Sequence, residues 1–425
     1  MLIEDLRRTL APDRVRADGV ELALYGRDAS NMTGRAEVVC FPLTTREVQS
    51  CVLLARQHGV PFVARGSGTG LAGGAVPPNG AVVIVLTKMN RVLSVDVANR
   101  QAWVEPGVLN LDLSRQMAVH GLHFAPDPSS QQSCSIGGNV ANNSGGPHCL
   151  AEGVTNGHIL GLEVVLPSGE IVELGGTEPH PAGLDLRGVM VGSEGMLGIV
   201  TRVSVRLTPN PPAVKTILLG FASTGAGAAT VSAIIAAGIL PAALEMMDAP
   251  ITRAVEAFAH AGFPVEAEAV LIVEVDGLPN AVADAVERVR VIGEAHGATS
   301  VRIAANEVER ALIWKGRKSA FGAIAQIKPN YYLHDTVVPR ARLVEVLDQV
   351  YEIAARHNLL VMNVFHAGDG NLHPLLVFDK REPGVMEHVH QAGDEIVAAS
   401  VAAGGVLSGE HGIGLEKREI GRAHV

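Results

Sequence analysis

The sequence predicts a two-domain chain of the α+β class. Three observations carry that prediction. Residues 34–209 read as short strands separated by glycines, a proline cluster "TPNPPAV" interrupts the chain at 208–214, and beyond it strands and helices alternate. With 425 residues and about 150 residues per domain as a guide, two or three domains are expected. Hydrophobic residues make up 47% and charged ones 18%, enough to bury a sizeable core.

In the first part, the helix "TTREVQSCVLLARQHG" precedes the strand "PFVAR". "AVVIVL", "RVLSVDV", "QAWVEPG", "HILGLEVVLPSG" and "GIVTRVSVRL" follow as strands. After the prolines come "KTILLGF", "ATVSAIIAAG", "AVLIVEVDG", "PNAVADAVERVRVIGEAHG" and "TSVRIA". Their alternation fits split β-α-β units, as in ferredoxin-like domains. The expected division is 1–210, with its core at 34–210, and 211–425.

A formal charge of -10 argues against a nucleic-acid binder. Against that background an anionic substrate needs particular Arg or Lys side chains. Cys40, Cys51, Cys134 and Cys149 form no C-x-x-C pair, which disfavours a structural zinc, an iron–sulfur cluster and a disulfide framework. A cytoplasmic setting is expected. "MLIEDLRRTLAPDRV" lacks an apolar signal core. The longest apolar run, "VSAIIAAGILPAALEMM", is broken by Pro241 and Glu245 before it reaches the roughly 18 residues of a membrane span.

"ARGSGTGLAGG" (64–74) has the Gly68-x-Gly70-x-x-Gly73 spacing of a dinucleotide fingerprint. That fingerprint requires a helix directly after the loop, whereas Pro77, Pro78 and another strand follow here. The dinucleotide fold is therefore rejected on context. What remains is a loop whose N–H groups form an anion nest with Arg65 beside it, or else a surface loop. "PDPSSQQSCSIGGNVANNSGG" (126–146) is a second such stretch. There Gly137, Gly138, Gly145 and Gly146 allow close backbone approach, and Ser133, Asn139 and Asn143 offer hydrogen bonds. With "GSEGMLGIV" (192–200), the three loops point to a large polar cofactor held mainly by backbone, unless they are unrelated.

These motifs resemble the FAD-binding domain of the para-cresol methylhydroxylase and vanillyl-alcohol oxidase superfamily. "FHAGDGNLHP" and "SGEHGIGLEK" resemble the C-terminal substrate (cap) domain of its FAD-linked 2-hydroxy-acid dehydrogenases, a family that includes bacterial glycolate oxidases and D-lactate dehydrogenases. The resemblance covers nearly the whole chain. It implies a para-cresol methylhydroxylase-type FAD domain followed by a ferredoxin-like α+β cap domain. It also implies that Arg65, Gly66, Ser67, Gly68, Thr69 and Gly70 meet the FAD pyrophosphate. Pro126, Ser133, Gly137, Gly138, Asn139, Asn143 and Gly145 would lie along the flavin and its linker, with Gly195 and Ile199 in the third segment. Some members bond flavin to a histidine, but "RGSGTG" has none, so noncovalent FAD is expected.

"LLVMNVFH" and "LHPLLVF" read as strands reversed at Asp369-Gly370. Residues facing each other across such a pair have Cβ atoms roughly 4.5–5.5 Å apart. His366 and His373 are thus expected to hold one metal ion from opposite strands, although two lone histidines are often plain core residues. "LSGEHGIG" offers Glu410 as a third ligand, and two histidines with one carboxylate leave room for substrate. The resemblance assigns His366, His373 and Glu410 to a divalent ion (Zn, Mn or Fe) and His411 to the active-site base. Arg317, in "IWKGRKSAFG", suits a bidentate clamp on a carboxylate and matches the family's substrate arginine. Its alternative is a solvated basic helix face shared with Lys315 and Lys318. Tyr331, Tyr332 and His334 are assigned no chemistry. Pro374 fits the glycolate or D-lactate branch.

The expected activity is oxidation of glycolate, D-lactate or a similar small D-2-hydroxy acid. The alternative is a transferase like alkyl-dihydroxyacetone-phosphate synthase, which uses the same fold without net redox change. The family resemblance further implies a second flavin-domain subunit and an iron–sulfur subunit as electron acceptors, with peripheral association at the inner membrane face. "IGRAHV" at 420–425 is also the translation of ATCGGAAGAGCACACGTC, a common sequencing adapter. The natural chain is accordingly expected to continue beyond about Glu419, which makes the second domain truncated here.

Overall fold

The computed structural model describes residues 1–178 and 183–418. The expectation for Ile420–Val425 lies outside the described residues. The chain divides into two units.

The first unit comprises Met1–Gly146, Gly153–Asn210 and the segment from Glu410 onward. Its smaller sheet runs in the order Val15–Arg16, Ala36–Cys40, Ala81–Val85, Phe62–Arg65. Ala81–Val85 pairs in parallel on both sides, and every one of its residues is buried. That is why it reads as an unbroken apolar run instead of an alternating one. Helix Thr45–Gln57, capped by the Thr44 side chain on the Glu47 N–H, packs Val48 and Val52 into the same core as Ile84. The larger sheet is antiparallel, in the order Val92–Asp96, Gln101–Val104, Ile199–Arg206, Ile159–Val165, Ile171–Gly175. It covers a core containing Leu113, Phe124, Leu162 and Val203.

The second unit comprises Pro147–Glu152 and Pro211–Gly409. Its strands Ala213–Phe221, Ala243–Asp248, Ala269–Gly277 and Ala298–Ile303 are the four strands of a split β-α-β repeat. They lie in the order fourth, first, third, second, the ferredoxin-like arrangement. Ala243–Asp248 was not anticipated as a strand. It pairs antiparallel with the hairpin strand Leu360–His366, so the histidine hairpin extends the same sheet.

In two places the division departs from a single cut near residue 210. The segment from Glu410 belongs to the first unit because Ile413 and Gly414 donate to Glu194 and Leu415 donates to the Ala72 carbonyl. Pro147–Glu152 belongs to the second because Leu150 packs on its core and His148 meets Glu274. Among the described residues no helix is long and apolar enough to cross a membrane.

Glu274 is an electrostatic hub of the second unit. It is 3% exposed and accepts from Thr216 Oγ1 at 2.5 Å, Trp314 Nε1 at 2.5 Å and Arg310 Nη1 at 3.0 Å, with His148 Nε2 at 3.3 Å. Burial alone would raise its pKa, but His148, Arg310 and Thr216 outweigh burial and hold it at about 2 instead of 4.5. A depressed carboxyl stabilises the fold fully above its unfolded value, and that contribution fades as pH falls toward the folded value. The loss between pH 4.5 and 2 is on the order of 3 kcal/mol. Glu274→Gln should be less stable than wild type at neutral pH and should lose less further stability through that acid window. Thermal unfolding followed by circular dichroism across pH tests this, and an equally steep acid decline in both proteins would refute it.

Candidate functional site

Within the first unit the three glycine-rich segments come together. Strand Phe62–Arg65 feeds the first of them. A Cβ at Gly66 would fall 2.4 Å from Ser135 Oγ, so the first loop touches the second, and a side chain there would displace the Ser135 hydroxyl. Arg65 lies buried beneath the loop. Its Nη1 donates to the Arg27 carbonyl at 2.5 Å, and its guanidinium sits 5.3 Å from the Tyr25 ring centre. Burial lowers its pKa. Ser67, Gly68, Thr69 and Gly70 continue the loop half-buried.

The second stretch is more ordered than its composition suggests. It contains a helix, Ile136–Asn142, whose first turn carries Gly137, Gly138 and Asn139. Ser135 Oγ caps it by accepting the Gly138 N–H at 3.3 Å, a contact worth about 1 kcal/mol. Ile136 and Val140, one turn apart, are both fully buried. Asn139 Oδ1 accepts from Asn110 Nδ2, which also donates to the Pro126 carbonyl, both at 2.9 Å. Ser133 sits in the turn before the helix, its N–H on the Ser130 carbonyl. Asn143 ends the helix in the left-handed region at φ 50° and accepts the Asn156 N–H at 2.8 Å. At Gly146, φ is 139° and a Cβ would meet the Asp127 carbonyl oxygen at 2.5 Å, so no other residue fits.

The third segment is tied to that helix. Gly192 and Glu194 donate their N–H groups to the Val140 and Ala141 carbonyls, both at 2.8 Å. Gly195 follows at φ 74°, and Ile199 opens the strand Ile199–Arg206. Backbone lines this cradle wherever a Cβ would fill it, which suits a large polar cofactor.

"GEHGIG" is fastened to the same cradle. Glu410 Oε2 accepts the Gly145 N–H at 3.1 Å, and Asn142 Nδ2 donates to the His411 carbonyl at 2.9 Å. Glu194 then receives the Ile413 and Gly414 N–H groups, each at 2.8 Å. Sequence reasoning passed over Glu194; a lone carboxylate inside "GSEGMLG" was its signal.

Within the second unit His366 and His373 come together, by a different register from the one expected. His366 lies opposite Asn371, and Asn363 opposite Pro374. The two histidines are therefore diagonal neighbours on one face, a relation long side chains can span. Their ring centres are 5.0 Å apart and the rings are nearly perpendicular at 82°. Both are buried, at 3% and 5% exposure.

Each has a carboxylate beside it. On the other side of its strand His366 lies opposite Glu245, and His366 Nδ1 is 2.6 Å from Glu245 Oε1. Asp335 Oδ1 is 3.4 Å from His373 Nε2. Its other oxygen accepts from Ser408 Oγ at 2.8 Å and from the Gly409 N–H at 2.9 Å. Two buried imidazoles flanked by carboxylates form a donor set suited to a divalent ion of the Zn, Mn or Fe kind.

Arg317, on helix Glu307–Lys318, does not lie on a solvated face. It is 2% exposed, whereas Lys315 is exposed. Its Nη2 donates to Glu245 Oε2 at 2.5 Å. Its Nε is buried with no hydrogen-bond partner among the described residues. Burial would push the Glu245 carboxyl up, but His366 and Arg317 prevail and hold it below the usual range. Glu245 itself escaped sequence reasoning, where it served only to interrupt an apolar run. Tyr331 stacks on Phe321, and Tyr332 packs edge-on against His334.

Two family models match the chain. Residues 36–175 match the FAD binding domain, and residues 210–425 match the C-terminal domain of FAD linked oxidases. The glycolate oxidase subunit GlcD of Escherichia coli (strain K12) is 45% identical over 383 residues, covering 90% of this chain and 77% of its own. A D-lactate dehydrogenase of Anaerostipes hadrus is 33% identical over 424 residues, covering 97% of this chain and 88% of its own. In fold, the chain is similar to p-cresol methylhydroxylase solved with substrate bound. That likeness has a TM-score of 0.80 at 15% identity and covers 100% of this chain and 91% of the other.

Proposed function

Because the chain belongs to the FAD-linked oxidase family, we propose that it oxidises glycolate, D-lactate or a similar small D-2-hydroxy acid to the 2-oxo acid. One observation carries the choice of substrate class. A buried guanidinium with donor capacity to spare shares the Glu245 carboxylate with one of two paired imidazoles. A molecule with a carboxylate and a hydroxyl on adjacent carbons matches that pairing.

In this reading His366, His373 and Glu410 hold the divalent ion, and the glycine cradle holds FAD noncovalently. Bound FAD supplies the two-electron acceptor for the α-hydrogen, and the ion supplies the Lewis acidity that makes an alcohol acidic enough for an imidazole. Arg317 binds the substrate carboxylate with the donors that Glu245 leaves over. His411 accepts the hydroxyl proton at a ring nitrogen. Glu410 and His411 are suited to act beside the flavin because their segment is hydrogen-bonded to the cofactor cradle. Likeness to a named subunit of glycolate oxidase supports a chain that works in a complex. A second flavin-domain subunit and an iron–sulfur subunit are the proposed electron acceptors, at the inner face of the membrane.

The test is a panel of small 2-hydroxy acids offered to the purified, FAD-loaded protein with an artificial redox dye. Glycolate or D-lactate should reduce the dye, and acid precipitation should release the flavin. A loaded protein that reduces no dye with any member of the panel would overturn the reading and return attention to transferase chemistry. Flavin that stays with the acid-denatured chain would contradict noncovalent binding.

A further inference from the structure

We infer that Glu245 is a positioning residue for the metal site: it fixes His366 with the proton on Nδ1 and so reserves Nε2 for coordination. The inference rests on the proposed role of His366 as a ligand. Glu245 lies in the middle of strand Ala243–Asp248 and is fully buried. A carboxylate there costs several kcal/mol unless both oxygens are well paired. Both are: Oε1 faces His366 Nδ1 at 2.6 Å, and Oε2 accepts from Arg317 Nη2 at 2.5 Å. The contact with His366 does not depend on a chance rotamer, since the two residues are opposite each other in the strand ladder and their side chains meet on one face.

An imidazole nitrogen that donates to a carboxylate cannot also bind a metal, so the partner of one nitrogen decides which one coordinates. Arg317 completes the arrangement. Arginine only donates, so it keeps Glu245 an ionised acceptor facing two donors.

Glu245→Gln tests this with a sharp consequence. An amide has one oxygen and one NH₂ group. Its oxygen must turn to Arg317, which cannot accept, and its NH₂ then faces His366 Nδ1. That forces the proton of His366 onto Nε2, the nitrogen needed for the metal. Cobalt(II) titration of the FAD-loaded protein against a competing chelator should show metal affinity lowered by about 10–100-fold, with flavin content unchanged. In Glu245→Gln/Arg317→Met the glutamine is free to turn its oxygen to His366 Nδ1–H, and affinity should recover most of that loss. A purely structural role for Glu245 predicts no recovery when the second buried residue is also replaced.

The outcomes separate cleanly. Wild-type protein that binds no cobalt refutes the metal site itself. Wild type that binds cobalt, alongside a Glu245→Gln variant of equal affinity, refutes the role of Glu245 alone. Should the variants fail to fold, nitrogen-15 spectra of histidine-labelled, metal-free wild type report the tautomer directly. An Nδ1-protonated His366 supports the inference, and an Nε2-protonated one overturns it.

Discussion

His411→Asn should reduce its flavin roughly 10²–10⁴-fold more slowly than wild type, the usual contribution of a general base, while keeping both flavin and metal. Asparagine approximates the size and polarity of histidine but takes up no proton near neutral pH. The substitution spares the local fold because His411 is anchored through its backbone: its carbonyl accepts from Asn142 Nδ2. The residues after it are held by Glu194, which the substitution does not touch. Binding of the substrate carboxylate should also persist, since Arg317 belongs to the other unit. The deficit should therefore appear in the rate of flavin reduction at saturating substrate and little in KM. Stopped-flow reduction by glycolate or D-lactate is the measurement. A loss below about tenfold would remove His411 from the role of base.

What the sequence disclosed and what it hid follow a physical line. Ala81–Val85 was legible because a strand paired in parallel on both sides is buried on both faces and must be apolar throughout. The glycine loops were legible as a group because glycine and asparagine leave little to bury. Helix Ile136–Asn142 was hidden for the same reason: two glycines and two asparagines in seven residues carry poor helix propensity, and only the Ser135 cap and the burial of Ile136 and Val140 offset it. Strand Ala243–Asp248 was hidden by Glu245, which reads as a break in an apolar run. A charge is tolerated there only because Arg317 and His366 reach it from 72 and 121 positions away. No local window contains that pairing. The environment of Arg317 was undecidable from its helix for the same reason. The hairpin histidines were found by composition, but their diagonal register was not. The reversal is a four-residue loop, 367–370, that sets His366 opposite Asn371, whereas a two-residue turn at Asp369-Gly370 would have set it opposite His373.

The diagonal pair carries the other large prediction. His366→Ala and His373→Ala should each lose a stoichiometric divalent metal and nearly all hydroxy-acid oxidation. An alcohol is far too weak an acid to give its proton to an imidazole of pKa about 6.5 unless a cation stabilises the charge left on oxygen. Flavin should stay, because the three segments proposed to cradle it all lie in the first unit, whereas both histidines lie on the hairpin of the second. The two variants should nevertheless differ in stability. Removing His366 strips the buried Glu245 of one of its two partners, at a cost of about 1–3 kcal/mol for the oxygen left unsatisfied. Removing His373 leaves Asp335 still accepting from Ser408 and Gly409, so His373→Ala should melt closer to wild type. Metal analysis, flavin absorbance and thermal unfolding on the same preparations measure all three quantities. Metal content equal to wild type in both variants would dismiss the hairpin as a metal site, and equal melting temperatures would dismiss the asymmetry assigned to Glu245.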